Sequence, residues 1–237
     1  MSNKKKILIS ICIVIAITIS SVLVYSISSC VENRKEKEEL LIKVREYYES
    51  KLEKYQQENE LYEDYEVDVA FLGDSLTDGY DVATYYPEYL VVNRGIGGET
   101  TTGLINRMKV SLYDLKPKVA VMLIGANNMK TMFDNYENLL QGMKENVSDT
   151  KIVLLSLTSM GGDSWGSKNQ LAAYNNVKIK ILAEKYEYTY VDLYTALFDI
   201  TTGEIRAEYT TDGGHLTHLG YQKFTETLMP VLDDLLK

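Results

Sequence analysis

Two short segments of this 237-residue chain carry residue types suited to nucleophilic chemistry. Ser75 lies in the sequence Gly-Asp-Ser-Leu-Thr, directly after the apolar run 67–72. His215, one of only two histidines, follows Asp212 by three residues. A histidine oriented by a carboxylate can remove the proton of a serine hydroxyl, which then attacks an ester carbonyl. The pattern therefore predicts Ser75 as nucleophile, His215 as base and Asp212 as the orienting carboxylate.

Each segment taken alone has a plainer interpretation. Asp-Ser is a common helix cap or turn pair, and a lone histidine is more often structural than catalytic. Thr77 stands where the Gly-x-Ser-x-Gly elbow of the usual α/β-hydrolases has its last glycine. The second histidine, His218, has no aspartate three residues before it, and we interpret it as structural. The hypothesis therefore depends on Ser75 and His215 meeting in the fold.

Two further segments could stabilise the negative charge that forms on an ester carbonyl oxygen. Residues 93–100 form a glycine-rich turn that leads into a predicted helix, and the backbone N–H groups of such turns bind anions. Asn127 follows another predicted strand and can donate an amide N–H. The turn also begins like a dinucleotide-binding fingerprint, but Thr100 replaces its final small residue and the turn follows the second predicted strand. An oxyanion site is the favoured interpretation.

The elements that must position these residues follow an alternating pattern. Short apolar runs predict strands at 67–72, 90–92, 119–124, 152–157 and 188–191. Amphipathic stretches predict helices at about 101–113, 135–146, 170–186 and 219–236. Such alternation predicts an α/β fold with a parallel five-stranded sheet and helices on both faces. Ligands bind such sheets at the carboxyl ends of the strands, where the candidate residues fall.

In this order, the four segments resemble the SGNH (GDSL-type) hydrolase family over residues 67–237. Residues 93–100, 115–119 and 125–128 are most similar to the branch of platelet-activating-factor acetylhydrolase subunits and bacterial acylhydrolases. The resemblance implies a flavodoxin-like, three-layer α/β/α domain and serine ester hydrolysis without a cofactor or metal. It also implies roles for five residues: Ser75, Asp212 and His215 as the catalytic residues, and the N–H groups of Ser75 and Gly98 with the Asn127 side chain as the oxyanion hole.

Three features near these motifs bear on substrate and geometry. Asn128 stands where most of the family has Asp, and the acetylhydrolase-like branch carries Asn there too. Asn128 could support the loop or contact the substrate. Trp165, the only tryptophan, could lie over the cleft against a sugar or could cover the core. Gly213 and Gly214 predict a mobile loop whose Asp212–His215 geometry tightens only with substrate bound.

The N-terminal segment predicts a membrane location. Three lysines precede residues 7–29, an uncharged run long enough to span a bilayer as a helix. The positive-inside rule then predicts a single-pass protein with its body outside the cytoplasm. A cleaved signal peptide and lipidation of Cys30, in a lipobox-like Ile-Ser-Ser-Cys, are the alternatives. We predict three parts: an anchor or signal segment at 1–30, a charged helical stalk or linker at 31–65, and a hydrolase domain at 66–237.

The predicted stalk contains neither proline nor glycine between residues 32 and 64. Leu41, Val44, Tyr48 and Tyr55 form a partial apolar stripe among alternating charges, interrupted by Lys51. A solvated spacer or an outer helix of the domain is the simplest interpretation, and dimerisation through a coiled coil is the alternative. The oligomeric state stays open.

Composition excludes several classes of function. Residues 31–237 carry 34 acidic and 22 basic side chains, a formal charge of −12 that disfavours binding to nucleic acid. No cysteine follows Cys30, so the body has no disulfide, zinc-thiolate cluster or cysteine nucleophile.

A short acyl ester, such as acetyl on a cell-envelope glycan, is the preferred substrate. A lysophospholipase or lipid acylhydrolase, and a non-catalytic glycan-binding module, are the alternatives.

Overall fold

A computed structural model describes the backbone of residues 3–237 and the side chains of residues 29–237. The chain divides into two compact units, residues 1–50 and residues 51–237. Residues 3–50 of the first unit belong to helix α1 (Asn3–Asn59). Leu41 and Val44 of its predicted stripe are 60% and 56% exposed. Dimerisation through this stripe stays a prediction.

The second unit is built on five parallel strands in the order β2-β1-β3-β4-β5. The strands are β1 (Val69–Gly73), β2 (Val91–Gly95), β3 (Val119–Leu123), β4 (Lys151–Leu155) and β5 (Thr189–Val191). All five predicted strands are confirmed, with ends shifted by at most three residues. This strand order is the flavodoxin-like one, whose switch point lies between β1 and β3. Gly73 pairs with both Gly95 and Leu123, so β1 and the strands on either side of it, β2 and β3, end level with one another.

Helices connect successive strands. The longer ones are α4 (Thr101–Met108), α5 (Phe133–Asn146), α7 (Asn169–Tyr186) and α9 (His218–Leu235). They confirm the four predicted helices; a π-helical turn, Lys109–Tyr113, extends α4 to its predicted end. Elements of two to five residues are too short for a periodic signal: α2 (Ser75–Asp78), α3 (Val82–Tyr85), α6 (Gly162–Trp165), α8 (Leu193–Leu197) and the hairpin of β6 (Phe198–Asp199) and β7 (Glu204–Ile205).

The helices cover both faces of the sheet. Crossovers between parallel strands are right-handed. The chain crosses the sheet in one direction from β1 to β2 and in the other direction from β2 through β3 and β4 to β5. The connecting helices α4, α5 and α7 therefore lie on the face opposite α2 and α3. Helix α9 packs on the same face as α2 and α3. There the ring centroids of Tyr221 and Phe224 lie 4.9 and 4.8 Å from the ring centroid of Tyr80. Strands β1 and β3 are buried along their whole length, as a sheet covered on both faces requires.

The last turns of α1 belong to the second unit. Tyr55 is 1% exposed, and its hydroxyl donates to the carbonyl oxygen of Gly95 at 2.6 Å. Glu58 pairs with the fully buried Arg94, whose guanidinium lies over the Tyr55 ring. The second unit begins at Lys51, within the predicted stalk or linker 31–65, and the three-part division of the chain stays a prediction. Tyr55, Glu58 and Asn59 of this mostly charged helix pack or bond at the end of β2.

Substituting Tyr55 with phenylalanine is therefore expected to destabilise the second unit by about 1–2 kcal/mol. The change removes the donor to Gly95 and leaves a buried carbonyl oxygen without that partner. Urea unfolding measures the loss. Tyr89→Phe is the matched control, because its hydroxyl bonds to Asp233 at the same 2.6 Å at an exposed site. Equal losses of unfolding free energy in the two variants would show that the buried Tyr55 hydroxyl stabilises the unit no more than an exposed hydroxyl does.

The predicted membrane segment, residues 7–29, lies almost wholly outside the part of the chain whose side chains are described. Within residues 29–237, no helix combines the length and the apolar character needed to cross a bilayer. Cys30, the predicted lipidation site, is exposed.

Candidate active site

Ser75 lies at the switch point of the sheet, two residues after the end of β1. Asp74 caps α2 by accepting from the Leu76 N–H at 3.1 Å, which makes Ser75 the first residue of the helix. The N–H of a first helical residue has no acceptor within its own helix. Ser75 is half-buried, so both its hydroxyl and its N–H are available at the carboxyl edge of the sheet.

The structure brings Ser75, His215 and Asp212 together. Ser75 Oγ lies 3.1 Å from His215 Nε2, and His215 Nδ1 lies 2.8 Å from Asp212 Oδ2. Asp212 Oδ1 also accepts from the His215 and Gly214 N–H groups at 2.8 and 2.9 Å. Slight burial acts to raise the pKa of Asp212, but these hydrogen bonds outweigh it and hold that pKa well below its usual range. An ionised Asp212 fixes Nδ1 as the protonated nitrogen and leaves Nε2 to accept from Ser75.

The loop between Asp212 and His215 is close-packed, contrary to the mobile loop that we predicted. Gly213 has φ of +89°, and a Cβ there would lie 1.8 Å from the carbonyl oxygen of Gly161. A Cβ on Gly214 would lie 2.5 Å from the Trp165 ring. The Gly161 N–H donates to the Gly213 carbonyl at 2.9 Å. The glycines thus permit close approach of the next loop, and the Asp212–His215 hydrogen bond forms without substrate.

Two of the three predicted oxyanion donors, Ser75 and Asn127, lie at one cavity, and Asn127 also contacts the residue after the third, Gly98. Asn127 Nδ2 donates to the backbone carbonyl of Glu99 at 2.9 Å, which brings the Asn127 loop against the residue that follows Gly98. This bond uses one of the two N–H groups of the amide and fixes which end of it is nitrogen. Gly98 is exposed with φ of +77°, a conformation that favours glycine. Asn127 and Ser75 line the same cavity, whereas neither Gly98 nor Glu99 is among its lining residues.

A buried arginine joins the segments that carry these donors. Arg107 on α4 donates to the carbonyl oxygens of Gly73 and Arg94 at 3.0 and 2.8 Å, at the ends of β1 and β2. Its Nε donates to the Glu99 carboxylate at 2.9 Å, and both side chains are nearly inaccessible. One guanidinium therefore ties together the strand before Ser75, the glycine-rich turn and, through Glu99, Asn127. We did not predict this role, since its contacts are distant in sequence.

Asp74 is a second buried carboxyl at the site. Burial raises its pKa to about 7, only partly opposed by the hydrogen bond from the Leu76 N–H. The folded protein therefore holds a proton on Asp74 that the unfolded chain releases near pH 4. The associated stabilisation is complete below that pH and is lost as the pH rises through about 7.

Asp74→Asn is accordingly expected to remove this pH dependence, because asparagine copies the neutral carboxyl and keeps an acceptor for Leu76. The unfolding free energy of the variant minus that of the wild type should therefore be larger at pH 8 than at pH 5. Urea unfolding at the two pH values measures the change. A difference between the two proteins that does not vary with pH would contradict the assigned pKa.

The cavity over Ser75 is small. Its volume is about 10 Å³, room for about one water-sized group. Trp165 lines it half-buried, with its ring edge-on to His215 at a centroid distance of 5.7 Å. Thr158, 1% exposed, also lines it, and its hydroxyl has no partner within the described residues. Sequence reasoning missed Thr158, because a threonine after a strand carries no distinctive signal.

Asn128 supports the loop. Its side chain accepts from the Thr101 N–H at 3.3 Å and donates to the Thr101 hydroxyl at 2.9 Å, at the start of α4. A larger cavity, of about 600 Å³, lies at the opposite edge of the sheet beside Thr150 and Thr189, away from Ser75 and His215. Among the residues whose side chains are described, no cluster of three histidine, cysteine or acidic residues could hold a metal ion.

Solved structures resemble this fold. A platelet activating factor protein from Streptococcus pneumonia is 27% identical, with a TM-score of 0.65 over 81% of this chain and 96% of its own. An acylhydrolase from Bacteroides fragilis is 22% identical, with a TM-score of 0.70 over 78% and 97%. The acetylxylan esterase of Geobacillus stearothermophilus is 20% identical, with a TM-score of 0.60 over 71% and 95%. No curated protein matches the sequence.

The sequence profile of the GDSL-like lipase/acylhydrolase family matches residues 71–223, which include Ser75, Gly98, Asn127, Asp212 and His215. This match covers well over half of the chain. The resemblance inferred from the four motifs is thereby confirmed, together with the hydrolase class of the protein. The chain belongs to the GDSL-like lipase/acylhydrolase family and is an ester hydrolase of that family.

Proposed function

We propose that the protein is a serine esterase that removes short acyl groups, with Ser75, His215 and Asp212 as its catalytic residues. The observation that carries the proposal is the continuous hydrogen-bonded chain from Ser75 Oγ through the His215 ring to Asp212, at 3.1 and 2.8 Å. Nucleophile, base and orienting carboxylate have the mutual geometry that ester hydrolysis needs.

The reaction proceeds through an acyl-enzyme. His215 Nε2 accepts the Ser75 proton as Oγ bonds to the ester carbonyl carbon. The oxyanion accepts hydrogen bonds from the N–H groups of Ser75 and Gly98 and from the second N–H of Asn127. The bond from carbon to the alcohol oxygen then breaks, and His215 returns the proton to that oxygen. Water, deprotonated by His215, attacks the acyl-enzyme; the acid leaves, and Ser75 regains its proton.

The size of the cavity supports a short acyl group. About 10 Å³ between Trp165, Thr158 and Ser75 suits a methyl-sized group and is far below the volume of a long acyl chain. We therefore favour acetyl esters over long-chain lipids. An acetylated glycan of the cell envelope is the proposed carrier, since acetylxylan esterase is among the structural neighbours.

The proposed site of action is the outer face of the membrane. The uncharged run 7–29 after three lysines supports a single-pass anchor with residues 51–237 outside the cytoplasm. Cys30 is the alternative attachment point, through a lipid. Detergent-dependent extraction of the full-length protein from membranes, compared with a Cys30→Ala variant, separates the two modes of attachment.

A series of p-nitrophenyl esters of graded chain length tests the proposed activity. The full-length protein is expected to have its highest kcat/KM with the acetate and to lose activity steeply beyond about four carbons, because longer chains exceed the cavity. Ser75→Ala serves as the inactive control. Activity confined to long-chain esters would overturn the acyl assignment, and absence of hydrolysis of every ester would overturn the function.

A further inference from the structure

We propose that a groove beside Asn127 binds the alcohol part of the ester and that this alcohol carries an anionic group. The inference rests on the proposed function and adds a substrate class to it. The groove has a volume of about 240 Å³, which exceeds the 10 Å³ over Ser75. The two spaces share Ala126 and Asn127 in their walls, so a single substrate can occupy both.

The direction of the leaving group favours the groove as the alcohol site. His215 must protonate the alcohol oxygen, so the alcohol departs on the side of that ring. Trp165 lies edge-on to His215, and the ammonium of Lys168 lies 4.0 Å from the centre of the Trp165 ring. Lys168 in turn lines the groove. A path from His215 across Trp165 to Lys168 therefore connects the leaving oxygen with the larger space.

The charge of the groove selects the class of alcohol. Within residues 29–237, Lys130 and Lys168 are the only charged side chains that line it, and no carboxylate does. Residues 51–237 as a whole carry 28 acidic and 17 basic side chains, so a purely cationic groove stands out from its surroundings. Among the described residues, neither lysine forms an ion pair with a carboxylate. Clefts lined by one sign of charge concentrate ligands of the opposite sign.

The remaining lining residues suit a polar ring with an acidic substituent. Asn128 and Thr131 offer polar side chains, while Leu171 and Met129 offer apolar contacts. Carboxylate and phosphate are the two anionic groups that ammonium groups commonly bind. The inferred substrate is thus a short acyl ester of an alcohol that bears one of these groups, such as a sugar acid or a phosphorylated polyol.

A matched pair of aryl acetates tests the inference on the full-length protein. The esters are 3-acetoxybenzoate, whose leaving group is anionic, and the neutral 3-acetoxybenzamide, each rate being corrected for its reaction with hydroxide. The wild type is expected to favour the carboxylate in kcat/KM. This preference should fall about 5-fold in Lys130→Gln/Lys168→Gln and in about 0.5 M NaCl, because exposed charge pairs are weak and screened by salt.

Lys144→Gln/Lys151→Gln is the charge-matched control, since both lysines border the cavity at the opposite edge of the sheet. It should keep the wild-type preference. Equal preference in the wild type and the groove variant, or an equal loss in the control, would overturn the inference while leaving the esterase function intact. Hydrolysis of neither ester by the wild type would overturn the function itself. Acetylated sugar acid and acetylated glycerol phosphate then distinguish carboxylate from phosphate.

Discussion

His215→Ala is expected to lower kcat for p-nitrophenyl acetate hydrolysis about 10⁴-fold or more. The substitution removes the imidazole whose Nε2 lies 3.1 Å from Ser75 Oγ and can accept its proton. Loss of the base from a serine hydrolase typically leaves only the contributions of the oxyanion hole and substrate binding. Steady-state kinetics with active-site titration would measure the effect.

His218→Ala provides the matched control for this experiment. His218 bonds to the Tyr85 hydroxyl at 2.6 Å and to Gln222 at 3.0 Å, at the start of α9. These contacts agree with its interpretation as a structural residue. Its loss should change kcat by less than about 3-fold, an effect small beside that of a lost base. Comparable losses in the two variants would remove His215 from its assigned role.

Asn127→Ala is expected to lower kcat about 10²- to 10³-fold with little change in KM. An oxyanion donor strengthens its hydrogen bond as charge develops, so its loss raises the barrier more than it weakens substrate binding. The Glu99 carbonyl holds one N–H of Asn127 at 2.9 Å and leaves the second for this purpose.

Asn135→Ala is the corresponding control, since the Asn135 amide donates to the Thr102 hydroxyl at 2.9 Å at an exposed position on α5. It should retain kcat within about 2-fold. If Asn127→Ala kept full activity, the two N–H groups of Ser75 and Gly98 would have to suffice. A rise in KM with unchanged kcat in Asn127→Ala would instead indicate a role for Asn127 in substrate binding.

The strands and the candidate residues were predictable because their signals are local. Four of the five strands are largely apolar runs, since both faces of the sheet are covered, and Ser75 and His215 belong to motifs of a few adjacent residues. The predicted end of β2 is three residues too early, because Asn93 and Arg94 interrupt its apolar run. The residues that support the site were not predictable. Arg107 matters through its bonds to Gly73 and Arg94, and Tyr55 through its bond to Gly95, contacts that only the folded chain creates.

The glycines after Asp212 illustrate the same limit. From sequence, Gly213 and Gly214 predicted freedom of the backbone. In the fold, they allow the Gly161 carbonyl and the Trp165 ring to approach, and this packing holds the loop that carries His215. The sequence alone does not distinguish a glycine that makes a loop mobile from a glycine that permits close packing. The atoms that pack against the glycine in the fold decide between the two.

Labelling with a fluorophosphonate, followed by peptide mapping, tests whether Ser75 is the nucleophile. The probe bonds covalently to a serine whose hydroxyl is activated by a base, and Ser75 is the serine beside His215. We expect one adduct, on the peptide that contains Ser75, and none in Ser75→Ala. An adduct on another serine, or equal labelling of the two proteins, would contradict it.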